Sequence, residues 1–140
     1  NYITDTVTGE RTKIEPTPLR TLDLKPEHLD VIRDAMIGVN KEGTGARAFA
    51  GAQYIAAGKT GTAQVPLKDG RGYDMNNNIG SFAGYAPVED PRFVMLVRVN
   101  HPRTVSFAES TAAPAFGTMA QFLLQYYNVS PSRLEQVTNE

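Results

Sequence analysis

Apolar and polar positions divide the chain into an extended start, a helical stretch, a three-strand middle and a closing helix. Residues 26–40, PEHLDVIRDAMIGVN, place Leu29, Ile32, Met36 and Val39 three or four apart, which predicts a helix with one buried face. Pro26 suits its first turn, and Glu27 and Asp30 complement the positive end of its dipole. Gly43 is a stop signal just beyond it, and a turn or second short helix is expected over residues 45–49. Residues 54–65 read as a strand interrupted by Gly58 and Gly61, and the polar stretch 66–78, PLKDGRGYDMNNN, reads as a loop long for a hairpin. A second strand is expected over 79–87, where Ile79, Ser81, Ala83 and Tyr85 alternate with Gly80, Phe82, Gly84 and Ala86. After the turn VEDP, residues 92–99, RFVMLVRV, are nearly continuously apolar, as in a strand covered on both faces.

Residues 1–24 contain a turn-like segment at 5–9 and two prolines, Pro16 and Pro18, and so read as extended or hairpin-like. A helix is expected over 111–127, capped by Ser110 or Thr111, with Phe116, Met119, Ala120, Leu123, Tyr126 and Tyr127 on its buried stripe. The predicted organisation is therefore 1–24 extended, 25–53 helical, 54–99 an antiparallel three-strand meander, 110–128 helical and 129–140 a frayed polar tail. The fold class this implies is α+β, an antiparallel sheet flanked by helices.

Composition narrows function mainly by exclusion. The 140 residues suffice for one modest domain, and 41% hydrophobic with 21% charged residues is ordinary for a globular chain. A net charge of −1 provides no global field for nucleic acid, which is not an expected partner. There is no Cys, so disulfides, thiolate metal sites and a Cys nucleophile are excluded, and His28 and His101 lie too far apart for metal-ligand spacing.

Chemistry concentrates in residues 56–65, AAGKTGTAQV. A phosphate loop needs Gly, four residues, then Gly-Lys-Ser/Thr, but Gln53 stands five positions before Gly58, and β-prone residues rather than a helix follow Thr60. A plain edge strand explains the lysine as a solvated charge that blocks aggregation. The third reading is the Lys-Thr-Gly strand of serine acylation sites, which accompanies a Ser-x-x-Lys nucleophile. On that reading Lys59 supplies charge near a substrate carboxylate, and the Thr60 and Thr62 hydroxyls bind that carboxylate. Gly61 lacks a Cβ and lets an acyl group approach the backbone, while edge amides can stabilise an oxyanion.

The flanking segments favour the third reading. IAAGKTGTAQV, then IGSFAGYAPVEDPRFVMLVRVNHP, then STAAPAFGTMAQFLLQYY resembles the end of the transpeptidase domain of class B penicillin-binding proteins, in particular the cell-division peptidoglycan D,D-transpeptidases. PEHLDVIRDAMIGVNKEGTGARAF resembles the helix before the motif strand of that family, so the likeness covers about residues 20–128. It implies a β-lactamase/transpeptidase-like fold, with Lys59, Thr60 and Gly61 as the third active-site motif and the backbone N–H of Thr62 as half of the oxyanion hole. Ser81, Phe82 and Gly84 are expected to pack, and Tyr73, Tyr85, Arg98 and His101 to be ordinary core or surface residues. The implied chemistry uses no cofactor or metal. The implied partners are the D-Ala-D-Ala stem peptide of peptidoglycan, β-lactams and divisome proteins, at the periplasmic, extracytoplasmic face of the bacterial cytoplasmic membrane, with any anchor outside this chain.

The nucleophile is missing. Three residues after Ser81, Ser106, Ser110, Ser130 and Ser132 stand Gly84, Glu109, Ala113, Arg133 and Glu135, and no Ser-x-Asn occurs either. Both motifs are expected in an upstream part of the same protein, before Asn1. The chain alone is expected to be inactive, because nucleophile and base must lie within hydrogen-bond reach of each other. A serine β-lactamase, a D,D-carboxypeptidase or a non-catalytic penicillin-binding sensor carries the same strand and stays open at this point.

Overall fold

The computed structural model describes residues 2–132. The elements run β1 (Tyr2–Thr4), β2 (Arg11–Lys13), α1 (Pro26–Lys41), α2 (Ala46–Phe49), β3 (Ala57–Pro66), β4 (Tyr73–Ala86), β5 (Phe93–Asn100), a single 3₁₀ turn (Ala108–Ser110) and α3 (Ala112–Tyr126). Strands β3, β4 and β5 form an antiparallel meander in that order, and β1 pairs separately with β2. The architecture is an antiparallel sheet with helices against it. The last residues of the expected tail, 133–140, lie outside the described residues.

The meander sorts its side chains by the two-residue period of a strand. One face carries Gly58 and Thr60 of β3, Phe82, Gly84 and Ala86 of β4, and Phe93, Met95, Val97 and Val99 of β5. The core lies on this face. Phe49 of α2, Phe82 and Phe116 of α3 meet there with ring centroids 4.7–6.0 Å apart. Phe82 and Phe116 are fully buried, and each such burial contributes about 1.5–3 kcal/mol. Glycine makes the approach possible: a Cβ on Gly58 would strike the Phe82 ring, and one on Gly117 would come within 2.9 Å of the Ala48 carbonyl. The Tyr54 hydroxyl donates to the Val129 carbonyl at 3.0 Å and ties the segment that follows α3 to the entrance of β3.

Several expectations need correction. Strand β5 has one covered face, not two: Val94 and Leu96 point to the open side and are 83% and 66% exposed. The polar stretch 66–78 is mostly strand, because β4 begins at Tyr73 and pairs Val65 with Asp74 and Pro66 with Tyr73, leaving a turn over 67–72. Gly70 and Gly72 take φ of +72° and +108° in that turn, which glycine alone adopts at little cost. The periodicity of α1 is real, but Leu29 and Ile32 are exposed, as is every described residue up to 35; only the second half of the helix reaches the sheet.

Helix α3 buries Ala112, Ala113, Phe116, Ala120 and Leu124; Phe116 and Ala120 lie on the expected stripe, and Ala112, Ala113 and Leu124 shift it round the helix. Met119, Tyr126 and Tyr127 face outward, and at Gly117 the helix approaches α2 so closely that a Cβ would lie 2.9 Å from the Ala48 carbonyl. Thr111 precedes α3 but does not cap it; its hydroxyl donates back to the Phe107 carbonyl at 3.0 Å.

Candidate functional site

β3 is an edge strand, and its first half holds the residues singled out in the sequence. Ala57 and Gly58 are buried, Lys59 is exposed, and Thr60 and Gly61 are half-buried. The start of the strand is anchored by the buried Asn40 of α1, whose amide Nδ2 donates to the Ala56 carbonyl at 2.7 Å. The other side of β3 is bonded to β4, with Lys59 opposite Ala83, Thr60 opposite Phe82 and Gly61 opposite Ser81. The remaining edge is free of strand partners among the described residues.

Lys59 points to the open face of the sheet, in one cross-strand row with Ala83 and Leu96. Its Nζ donates to the Thr60 carbonyl at 2.6 Å and lies 3.5 Å from Thr60 Oγ1. A carbonyl that accepts this ammonium is turned away from β4. The period of the strand then sets the N–H and carbonyl of Thr62 on the same outer edge. Among the described residues Lys59 has no carboxylate within ion-pair distance, so its charge is unneutralised.

The two threonines differ in their supports. Thr60 Oγ1 lies 2.7 Å from Thr44 Oγ1, on the loop between α1 and α2. Thr62 Oγ1 accepts from the Ala108 N–H at 3.4 Å, which links the strand to the turn before α3. The Ser81 hydroxyl donates to the Gly61 carbonyl at 3.2 Å, and a Cβ on Gly61 would lie 2.7 Å from that oxygen. Gly61 thus sits tightly against its cross-strand neighbour, and Ser81 serves the strand rather than standing free as a nucleophile.

The structure therefore brings Lys59, Thr60, Gly61 and Thr62 together on one edge strand with an outward Thr62 amide: the Lys59 side chain leaves the open face, the Thr60 and Thr62 side chains the opposite one, and Lys59 Nζ comes within 3.5 Å of Thr60 Oγ1. Such an edge can hold a carboxylate and an extended chain laid alongside it. Tyr85 is half-buried opposite Ala57, and Tyr73 is 56% exposed beside Pro66 at the far end of the hairpin, away from Lys59. His101 lies in the left-handed region at φ +51° where its N–H bonds the Asn78 carbonyl, beyond the last β4–β5 pair. Thr44 was not selected from the sequence. Its signal was the Gly-Thr-Gly between helix and strand, but only the fold of that loop against β3 gives it a partner.

Comparison with known proteins gives the family and the fold. The family model described as the penicillin binding protein transpeptidase domain matches residues 1–121. The stage V sporulation protein D of Bacillus subtilis (strain 168) is 38% identical over 130 residues, covering 92% of this chain and 20% of that protein. A peptidoglycan D,D-transpeptidase FtsI homolog of Mesostigma viride is 30% identical over 115 residues, 81% of this chain and 19% of that one. Among solved structures, penicillin binding protein 3 from Mycobacterium tuberculosis complexed with ampicillin superposes with a TM-score of 0.70 at 30% identity, over 89% of this chain and 29% of that one. The chain spans about a fifth of the length of the curated relatives it matches.

Proposed function

Because this chain belongs to the penicillin-binding-protein transpeptidase domain family, we propose that β3 is one wall of a serine-type D,D-transpeptidase site that cross-links peptidoglycan. The observation that carries the reading is the unneutralised Lys59 beside the Thr60 and Thr62 hydroxyls on the free edge of β3. In this proposal the stem peptide lies along that edge, and its terminal carboxylate is held by Lys59, Thr60 and Thr62. Gly61 leaves room for the scissile carbonyl. The outward Thr62 N–H stabilises the oxyanion as the serine hydroxyl attacks and the terminal D-Ala leaves. An acceptor amine then takes the acyl group from the serine ester.

The serine and its lysine come from Ser-x-x-Lys, and a further hydroxyl from Ser-x-Asn, in upstream sequence of the same protein. That part docks against the face carrying Lys59, Val94 and Leu96, which is open while the opposite face is closed by α2 and α3. β-Lactams bind the same edge through their carboxylate. The site works at the extracytoplasmic face of the membrane, where the substrate is; no helix among the described residues is long and apolar enough to cross a membrane. The names of the relatives, a peptidoglycan D,D-transpeptidase homolog and a sporulation protein, support cell-wall synthesis as the setting; in this proposal that setting is division, with divisome proteins as partners.

Fluorescent penicillin supplies the test. Incubated with the full-length protein, it is expected to label a serine upstream of this chain, and to leave the isolated chain unlabelled. Covalent label on Ser81 or Ser106 contradicts the assignment, and so does a full-length protein that takes no label.

A further inference from the structure

We propose that Thr44 is a positioning residue that donates its hydroxyl proton to Thr60 Oγ1 and so keeps the Thr60 proton free for a ligand carboxylate. This rests on the reading of β3 as a carboxylate-binding strand. The two oxygens are 2.7 Å apart, and the distance alone leaves the direction of the bond open. The ligand decides it. A carboxylate only accepts, so when one binds at Thr60 the single Thr60 proton must point outward to it. The proton between the two threonines must then come from Thr44. A chain with every donor oriented the same way polarises itself, which strengthens the terminal bond to the anion. Lys59 Nζ, a donor only, lies 3.5 Å from the same Thr60 oxygen and favours the same direction.

The loop is built to hold Thr44 in place. The N–H of Gly45 bonds the Val39 carbonyl at 2.9 Å, and a Cβ on Gly45 would strike Asn40 Oδ1. Asn40 itself bonds the Ala56 carbonyl through Nδ2 at 2.7 Å. Residues 40 and 44 thus clasp the chain at 56, just before β3, and at 60 within it, a matched spacing of four on each side. The first clasp is buried and holds the backbone, whereas the second is exposed and orients a hydroxyl. Among the described residues the Thr44 hydroxyl bonds only Thr60, so a valine there removes that one contact.

The experiment measures the second-order rate of acylation by fluorescent penicillin in the full-length protein. Thr44→Val is expected to slow it about tenfold, the loss of one hydrogen bond in a charge-assisted chain. Thr44→Ser is expected to restore most of the rate, and Thr44→Ala stands in for the valine variant if that variant does not fold. In a Thr60→Val background, Thr44→Val is expected to cost nothing more, because its effect passes through Thr60. An unchanged Thr44→Val rate, a serine variant as slow as valine, or losses that multiply in the double variant overturns the proposal. A wild type that takes no label overturns the transpeptidase reading and this with it; a labelled wild type with an unaffected Thr44→Val removes only the role of Thr44.

Discussion

Lys59 holds its charge in the open, on the lip of a strand, with its ammonium folded back onto the next carbonyl. That position contributes little to stability, since exposed charge contacts are worth little, and much to any anion that arrives. In the full-length protein, Lys59→Met is expected to lower the acylation rate by about a hundredfold, as for loss of a preorganised electrostatic group, with no shift in melting temperature. A large fall in melting temperature would instead mark Lys59 as structural. A second charge belongs to folding alone. Asp5 accepts the N–H groups of Thr8 and Val7 at 3.0 and 2.7 Å, and these bonds hold its carboxyl below the usual value. Because the folded pKa is depressed, the turn is fully stabilised above the ordinary aspartate pKa of about 3.9 and loses that support as pH falls through the lower folded value. The Val7 and Thr8 amide resonances should therefore titrate with a midpoint below the ordinary value, and Asp5→Asn should abolish the transition; a midpoint at or above it contradicts the bonding. The residue types at 59–62 marked out the candidate strand in the sequence, whereas the contact of Thr44 with Thr60 spans sixteen positions and needed the fold.

At the scale of elements, β3 is held flat between a closed face and an open one. Gly58 is the point of closest approach, with the Phe82 ring on one side and the Ala83 carbonyl 2.9 Å from where a Cβ would stand. Gly58→Ala is expected to destabilise by about 1–3 kcal/mol, as overpacking does, and Phe116→Ala by about 3–5 kcal/mol through the cavity it leaves. Denaturant melts of the full-length protein measure both; a Gly58→Ala melt equal to wild type contradicts the tight fit. The elements themselves were largely legible. Pro26 and Glu27 open α1, the alternation in 79–86 writes β4, and RFVMLVRV writes β5. What was misread came from context. Helix α3 has apolar residues over more than half its circumference, so periodicity allowed several stripes, and packing against α2 and the sheet chose the one through Ala113, Phe116, Ala120 and Leu124. The asparagines after Tyr73 favour turns, but pairing with β3 drew them into β4 with a register shift between Gln64 and Val65.

For the molecule as a whole, the asymmetry of the sheet matters most. One face holds the core; the other exposes Val94 and Leu96, and exposed apolar side chains continue at Leu29, Val31 and Ile32 of α1. The outer edge of β5 is also unpaired among the described residues. An open apolar face beside an unpaired edge invites association. Expressed as these 140 residues alone, the chain is expected to run above its monomer mass in a concentration-dependent way, and Val94→Lys with Leu96→Lys to return it toward monomer. A monomeric wild-type chain with a sharp cooperative melt contradicts this. The same face explains why β5 reads in sequence as a strand covered on both sides: its apolar run includes Val94 and Leu96, which stand on the open face.

The sequence by itself determined the order of elements and the Lys-Thr-Gly-Thr run at 59–62, because these depend on residue type and spacing along one chain. The tertiary structure decided which faces are buried, where the hairpin between β3 and β4 turns, and which hydroxyl stands behind Thr60. Those depend on segments far apart in sequence competing for the same space, and local pattern holds no record of that competition.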